Sequence, residues 1–409
     1  MANKGIRFFC FGLVFAIMFS LLNLSMRIKC PRWDNFYNIP TNTIDVLFIG
    51  NSHNFTSFQP QIINKILPIK SYVVGISAEN IVVSYYELQE VLKYQHPKVV
   101  VLETFTLDLD DSRKNGYIFD FLDSGKWNKN RTAIAMRYLT PETGYSIFPA
   151  LRSRMDWDKP YLYINQLFHE LRKSSITEVN PDFSNASVKE EVIDDIDYRV
   201  TKSLSTRVYA KPNPDIQIYL EKFYQLCKDN NIQLVLTTVP IVNSTSNQTE
   251  YYKPFDASSF IEQNKIPKID YDSSKFNHLH FANGTHINGF GSVIVSIEMA
   301  AKLSEIMYLP INRTELEYYQ SFVFSDYRIT HQGNDYTIDL IPSNQESPLE
   351  YKWIVQDKDI NVVYDSGWQN NNSFTFHLYQ DGTYRVFVEI KNPQDDYLMT
   401  AVFSISDSK

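Results

Sequence analysis

Two short stretches of the chain carry residue types that can do nucleophilic chemistry together. Ile49-Gly50-Asn51-Ser52-His53 follows an apolar run that starts at Val46, and Thr285-His286-Ile287-Asn288 lies far downstream in a polar, glycine-containing segment. A serine hydroxyl is a weak nucleophile at neutral pH. It needs a general base within hydrogen-bond reach and backbone donors for the oxyanion that develops on the carbonyl it attacks. The apolar run predicts a buried strand over 45–50 that breaks into a loop. Ser52 would then stand at the strand's carboxyl end, where open α/β sheets form their crevices. The periodic segment 293–306 predicts a helix, which puts His286 in the loop just before it.

These residues, in this order, resemble the SGNH/GDSL hydrolase superfamily, particularly its membrane-anchored bacterial branch associated with acylation or deacylation of cell-surface polysaccharides. The resemblance covers residues 40–307. The family's first block, Gly-Asp-Ser or a relaxed Gly-x-Ser, corresponds to Gly50-Asn51-Ser52 and implies Ser52 as nucleophile. Its second block supplies a glycine amide to the oxyanion hole, which corresponds to Gly75, acting with the amide of Ser52. The last block, Asp-x-x-His, corresponds to Asn283-Gly284-Thr285-His286 and implies His286 as base with Asn283 orienting it.

The chain departs from the family twice. Asn283 stands where an Asp is expected, and the Gly-x-Asn-Asp block has no good counterpart after the third strand, where Leu102-Glu103-Thr104-Phe105 is read. The Asp of a triad fixes the imidazole tautomer and stabilises the imidazolium; an Asn can still orient a His, as in Cys-His-Asn sites. Asp270 and Asp272, before the loop, are the alternative carboxylate partners. Glu103 is open to two readings, a core-edge carboxylate satisfied by backbone donors or the occupant of the missing block.

Other chemistries fit less well. An α/β-hydrolase elbow requires Gly two residues after the serine, where Asn54 stands. His53 reads as a hydrogen-bonded loop residue. His278, His280 and His286 do not match His-Glu-x-x-His spacing, so no metal and no cofactor is expected. A net charge of −8 over 409 residues argues against a nucleic-acid partner, which would call for a basic patch.

The elements around these residues predict an open, mainly parallel α/β sheet covered on both faces, and the resemblance implies its three-layer SGNH/flavodoxin-like form. Strands are expected at 45–50, 72–75, 98–102 and 232–237. Helices are expected from Pro60, over 81–94, from Asn213 as N-cap with Pro214 at the first position, and over 292–306. An insertion at about 108–210 interrupts the pattern. Its aromatic residues, Trp127, Tyr138, Tyr145, Trp157, Tyr161, Tyr163 and Phe168, could stack on sugar rings, with Arg152 or Arg154 holding an acidic polymer, or could build a satellite core. The α/β domain is drawn at 31–313. Over 319–409, alternating sets such as Tyr351/Trp353/Val355 and Tyr384/Val386/Val388/Ile390 predict about seven strands in an immunoglobulin-like sandwich. That module is expected to bind glycan, act as a spacer or pack on the α/β domain.

Residues 1–30 read as an anchor. The run from Phe8 to Leu24 reaches the lower limit of a membrane-spanning helix, about 17 to 25 residues. Basic residues flank it on both sides, and Asn23-Leu24-Ser25 is a poor cleavage site, so an uncleaved signal anchor is favoured over a signal peptide. Cys10, Cys30 and Cys227 suggest no disulfide framework. The resemblance implies a single-pass protein with its body outside the cytoplasm, removing or transferring an acyl group, most simply acetyl, on a surface polysaccharide. A membrane acyltransferase is an implied partner. The competing class is a degenerate relative that binds glycan or a membrane partner without catalysis.

Overall fold

A computed structural model of the chain describes residues 2–109, 116–139, 147–152, 199–200, 214–243, 255–344, 348–379, 382–393 and 397–406. The chain divides into two compact units, Met1–Pro40 with Asp111–Asp182, and Thr41–Asp110 with Phe183–Lys409. The expected anchor therefore shares a unit with part of the expected insertion. Residues 319–409 share the other unit with the α/β elements.

In the larger unit, β1 (Val46–Ile49), β2 (Ser71–Val73), β3 (Val99–Glu103), β4 (Gln233–Thr238) and β5 (Lys268–Asp270) form a parallel sheet in the order β2-β1-β3-β4-β5. Val46, Phe48, Val99, Val101 and Val235 pack in one cluster with Ile62, Ile66, Val293, Met299 and Leu303 of two helices. The alternate residues Leu47, Ile49, Val100, Leu102, Leu234 and Leu236 are buried as well. Successive strand side chains point to opposite faces, so both faces of this sheet are covered, which is why its strands read as continuous apolar runs.

The helices begin where local chemistry permits. Pro60 opens the helix Pro60–Ile66, a position where its missing N–H costs no bond. Asn80 caps Ile81–Val91 by accepting from Val82 N at 3.1 Å and Val83 N at 3.2 Å. Pro214–Asp229 begins at the proline; the expected cap, Asn213, lies outside the described residues. Asn288 caps Gly289–Met307, directly after a hairpin formed by β6 (Phe281–Asn283) and β7 (His286–Ile287).

The C-terminal region is antiparallel and all-β. Strands β8 (Phe324–Gln332), β9 (Asp335–Pro342), β10 (Glu350–Gln356), β11 (Val362–Gln369), β12 (Ser373–His377), β13 (Thr383–Lys391) and β14 (Leu398–Ser406) form two sheets, β8-β9-β12 and β11-β10-β13-β14. The alternating residues turn one face inward: Tyr351, Trp353 and Val355 are buried, as are Tyr384, Val386, Val388 and Ile390. Trp353 of one sheet stacks on Phe374 of the other at 5.8 Å. This interior belongs to the same hydrophobic cluster as Val293 and Met299. Tyr397 Oη also donates to Gln59 Oε1 at 3.1 Å, while Gln59 Nε2 donates to Ser292 Oγ at 2.6 Å. The β region is packed onto the α/β elements rather than tethered to them.

In the smaller unit, the helix Ala2–Ser25 is exposed over most of its length, and Lys4–Ser25 is long and apolar enough to cross a membrane. The chain that follows is not a free linker. Met26 and Cys30 are buried, Ile28 N donates to Asp123 Oδ2 at 2.8 Å, and Arg27 reaches Gly125 O at 3.3 Å. Trp33 is fully buried against Phe36 and Phe121, and the buried Arg131 donates to Phe121 O at 3.1 Å and Lys126 O at 3.0 Å. Of the insertion aromatics, Tyr138 is buried and Trp127 is exposed. Tyr145, Trp157, Tyr161, Tyr163, Phe168 and Arg154, and the side chain of Arg152, lie outside the described residues.

A chain starting at Asn23 is accordingly expected to fold without the apolar helix, whereas one starting at Pro31 loses the burial of Met26 and Cys30 and the Ile28 bond. The difference should be about 3 kcal/mol, read as a lower melting temperature of the shorter chain. Equal melting would show that 23–30 contribute nothing to the unit.

Candidate active site

Ser52 and His286 are brought together: Ser52 Oγ lies 2.7 Å from His286 Nε2. Each is placed by a different device. β1 ends at Ile49, and Gly50 adopts φ +150 in a space where a Cβ would stand 3.0 Å from Glu103 Cβ and 3.1 Å from Asn54 Cβ. Asn51 then caps the helix Ser52–Ser57, its Oδ1 accepting from His53 N at 3.0 Å. The nucleophile candidate thus sits at a sharp strand-to-helix turn at the carboxyl end of β1, half-buried.

His286 is carried by the β6–β7 hairpin, and Asn283 organises the turn. Asn283 Oδ1 accepts from Thr285 N and His286 N, both at 3.0 Å. Two backbone donors on one atom identify that atom as the oxygen, since an amide nitrogen could not accept from either. The same oxygen is 3.0 Å from His286 Nδ1, which also lies 2.9 Å from Thr285 Oγ1. Facing this acceptor, Nδ1 carries the ring proton and leaves the Nε2 lone pair for the Ser52 hydroxyl. The tautomer that a general base requires is therefore set by a neutral side chain.

The alternative carboxylates are engaged elsewhere. Asp270 pairs with Lys268 at 2.8 Å. Asp272 caps a short turn, accepting from Ser274 N at 3.0 Å and Ser274 Oγ at 2.7 Å, bonds that hold its carboxyl below the usual range. Neither carboxylate bonds the His286 ring; a side chain's direction at a strand end depends on register, which the sequence does not display.

Gly75 lies just past β2, the neighbour of β1, and backs onto the Ser52 turn. It has φ +126, and a Cβ there would come within 1.8 Å of Gly50 O. Only glycine permits that approach. The next amide, Ile76 N, donates to the buried Glu79 Oε2 at 2.8 Å, and Glu79 also bonds Ser84 Oγ. Asn51 Nδ2 donates to Glu79 O at 3.4 Å, joining this loop to the cap of the Ser52 helix. In the sequence Glu79 is marked only by its place four residues past the loop glycine Gly75.

At the end of β3, Glu103 is buried and its Oε2 accepts from Phe105 N at 3.0 Å, the core-edge arrangement. Thr104 Oγ1 lies beside it, 2.6 Å from Thr238 Oγ1 at the end of β4. His53 is buried, stacked on Phe105 at 3.9 Å, with its ring 4.8 Å from that of His286. It walls one side of the His286 ring. His278 and His280 face away from Ser52, toward β8: His280 Nε2 is 2.9 Å from Phe324 O, and His278 Nε2 is 3.7 Å from Asp326 Oδ1.

No family model matches the chain, and no curated protein matches it. Among solved structures, domains d3-d4 of the rat CD45 extracellular region match at 18% identity over 20% of this chain and 47% of that chain, with a TM-score of 0.17. This chain thus spans about half the length of that structure. OgpA from Akkermansia muciniphila matches at 10% identity over 47% of this chain and 70% of that chain, TM-score 0.16. An engineered protein matches at 8% identity over 95% of this chain and 97% of that chain, TM-score 0.17. Likenesses this low carry no argument about activity.

Proposed function

We propose that the protein is a serine-dependent ester hydrolase or O-acyltransferase of SGNH type, acting on acyl groups, most simply acetyl, of a cell-surface polysaccharide. The observation that carries this reading is the relay Ser52 Oγ to His286 Nε2 at 2.7 Å and His286 Nδ1 to Asn283 Oδ1 at 3.0 Å. Ser52 Oγ attacks the ester carbonyl while its proton passes to His286 Nε2. The backbone amides of Ser52 and Gly75 hold the resulting oxyanion. Collapse of the tetrahedral intermediate breaks the bond to the alcohol, which leaves with the proton from His286, and the acyl group remains on Ser52. Water then regenerates the serine in an esterase, a sugar hydroxyl in a transferase.

The apolar helix is read as an uncleaved anchor holding an extracytoplasmic body, and a membrane acyltransferase is the partner that would supply or share acyl groups. The β region is read as an immunoglobulin-like sandwich. The test is fluorophosphonate labelling of the full chain in detergent micelles, followed by peptide mapping. Labelling at Ser52, lost in Ser52→Ala, supports the reading. Without labelling at Ser52, the ligand-binding alternative replaces it.

Asn283→Asp measures what the neutral third residue costs. An anion beside Nδ1 favours the imidazolium formed during attack. Asn283 is exposed, so solvent screens the gain to about 1–2 kcal/mol, roughly a tenfold rise in turnover. Unchanged turnover would remove residue 283 from the relay.

A further inference from the structure

The hairpin that holds His286 is too small to hold itself. Its strands are three and two residues long, and an isolated two-stranded hairpin is marginally stable at best. Its two feet are joined through Asn288, whose N donates to His280 O at 3.1 Å and whose Nδ2 donates to Leu279 O at 2.8 Å. Gly291 presses on the same point, where a Cβ would lie 2.4 Å from His280 O. These feet are in turn fastened to β8, the first strand of the C-terminal region. His280 is buried, with Nδ1 accepting from Asn277 N at 3.0 Å and Nε2 facing Phe324 O at 2.9 Å. A donor on one nitrogen and a carbonyl on the other admit one state, the neutral ring with its proton on Nε2. Asn277 Nδ2 donates to Ser325 O at 2.7 Å, and the His278 ring packs on Tyr327 at 4.9 Å.

We propose that the C-terminal β region is a positioning element of the active site, and that His280 is the positioning residue through which β8 fixes the His286 hairpin at hydrogen-bond reach of Ser52. The inference deepens the acyl-transfer reading and rests on it for its kinetic readout. Reacting groups displaced by about 1 Å can lose on the order of a hundredfold in rate, and without the His280 bridge the feet of the hairpin lose their tie to Phe324.

Two readouts on the full chain in detergent micelles test this: the fluorophosphonate labelling rate at Ser52, corrected for the folded fraction, and amide hydrogen exchange. His280→Ala is expected to slow labelling by roughly tenfold to a hundredfold and to speed exchange at Thr285, His286 and Asn288 while β1, β3 and β4 stay protected. His280→Gln, which can present one acceptor and one donor, should recover part of both effects. A folded His280→Ala protein with wild-type labelling and exchange overturns the proposal. If His280→Ala does not fold, Asn277→Ala decides in its place, since it removes the Ser325 tie; wild-type behaviour in that variant overturns the proposal. If the wild type itself does not label at Ser52, the acyl-transfer reading fails on its own. The exchange of the hairpin then decides the positioning role, and unchanged exchange overturns it.

Discussion

Ser52→Ala and His286→Ala are each expected to lower turnover of a short-chain aryl ester by about a thousandfold or more, with the melting temperature unchanged. The magnitude follows from removing one member of a unit whose parts act together, and for the same reason the double substitution should cost little beyond either single one. The fold should tolerate both changes. Ser52 is half-buried, and the helix it opens is capped by Asn51. His286 is half-buried as well, and its hairpin turn is held by backbone donors to Asn283, which an alanine at 286 keeps. Wild-type turnover by Ser52→Ala, in a preparation free of contaminating esterase, would remove the mechanism.

The second large effect is on stability. Burial pushes the His280 imidazole down to about 4 from its ordinary 6.5, helped by the neighbouring His278 and opposed by the Phe324 carbonyl and Asp326. Between these values the unfolded chain binds a proton that the folded chain refuses, so stability falls as pH drops through this window. The full contribution is present above pH 6.5 and is lost by about pH 4, a change of about 3 kcal/mol. Urea unfolding of the chain starting at Asn23 between these pH values, compared with His280→Gln, isolates the residue, because the carboxylates titrate in both. Parallel pH profiles would show that His280 does not resist protonation in the folded state.

These two effects involve histidines six residues apart in the sequence, and their separation illustrates how far a sequence can be read. His286 precedes a helix in a glycine-containing loop, where a side chain can reach the end of a central strand. His280 stands in the same loop, yet the structure buries it against a carbonyl of residue 324. Nothing in the spacing of the three loop histidines separates the one beside Ser52 from the one bonded to Phe324.

The sequence by itself determined the elements whose signals are local. The apolar runs of β1, β3 and β4, Pro60 and Pro214 at helix starts, and the alternating sets of the C-terminal strands each state their own conformation within a few residues. Tertiary structure decided the rest, because it depended on contacts between distant segments. Register turned Asp270 toward Lys268 and the Ser274 bonds held Asp272, leaving Asn283 as the oxygen at the His286 ring. A shared hydrophobic interior joined the β region to the α/β elements, and the buried Met26 and Cys30 with the Ile28–Asp123 bond tied the end of the apolar helix into a folded unit. Side-chain direction and burial are properties of packing, and packing is set by residues hundreds of positions apart.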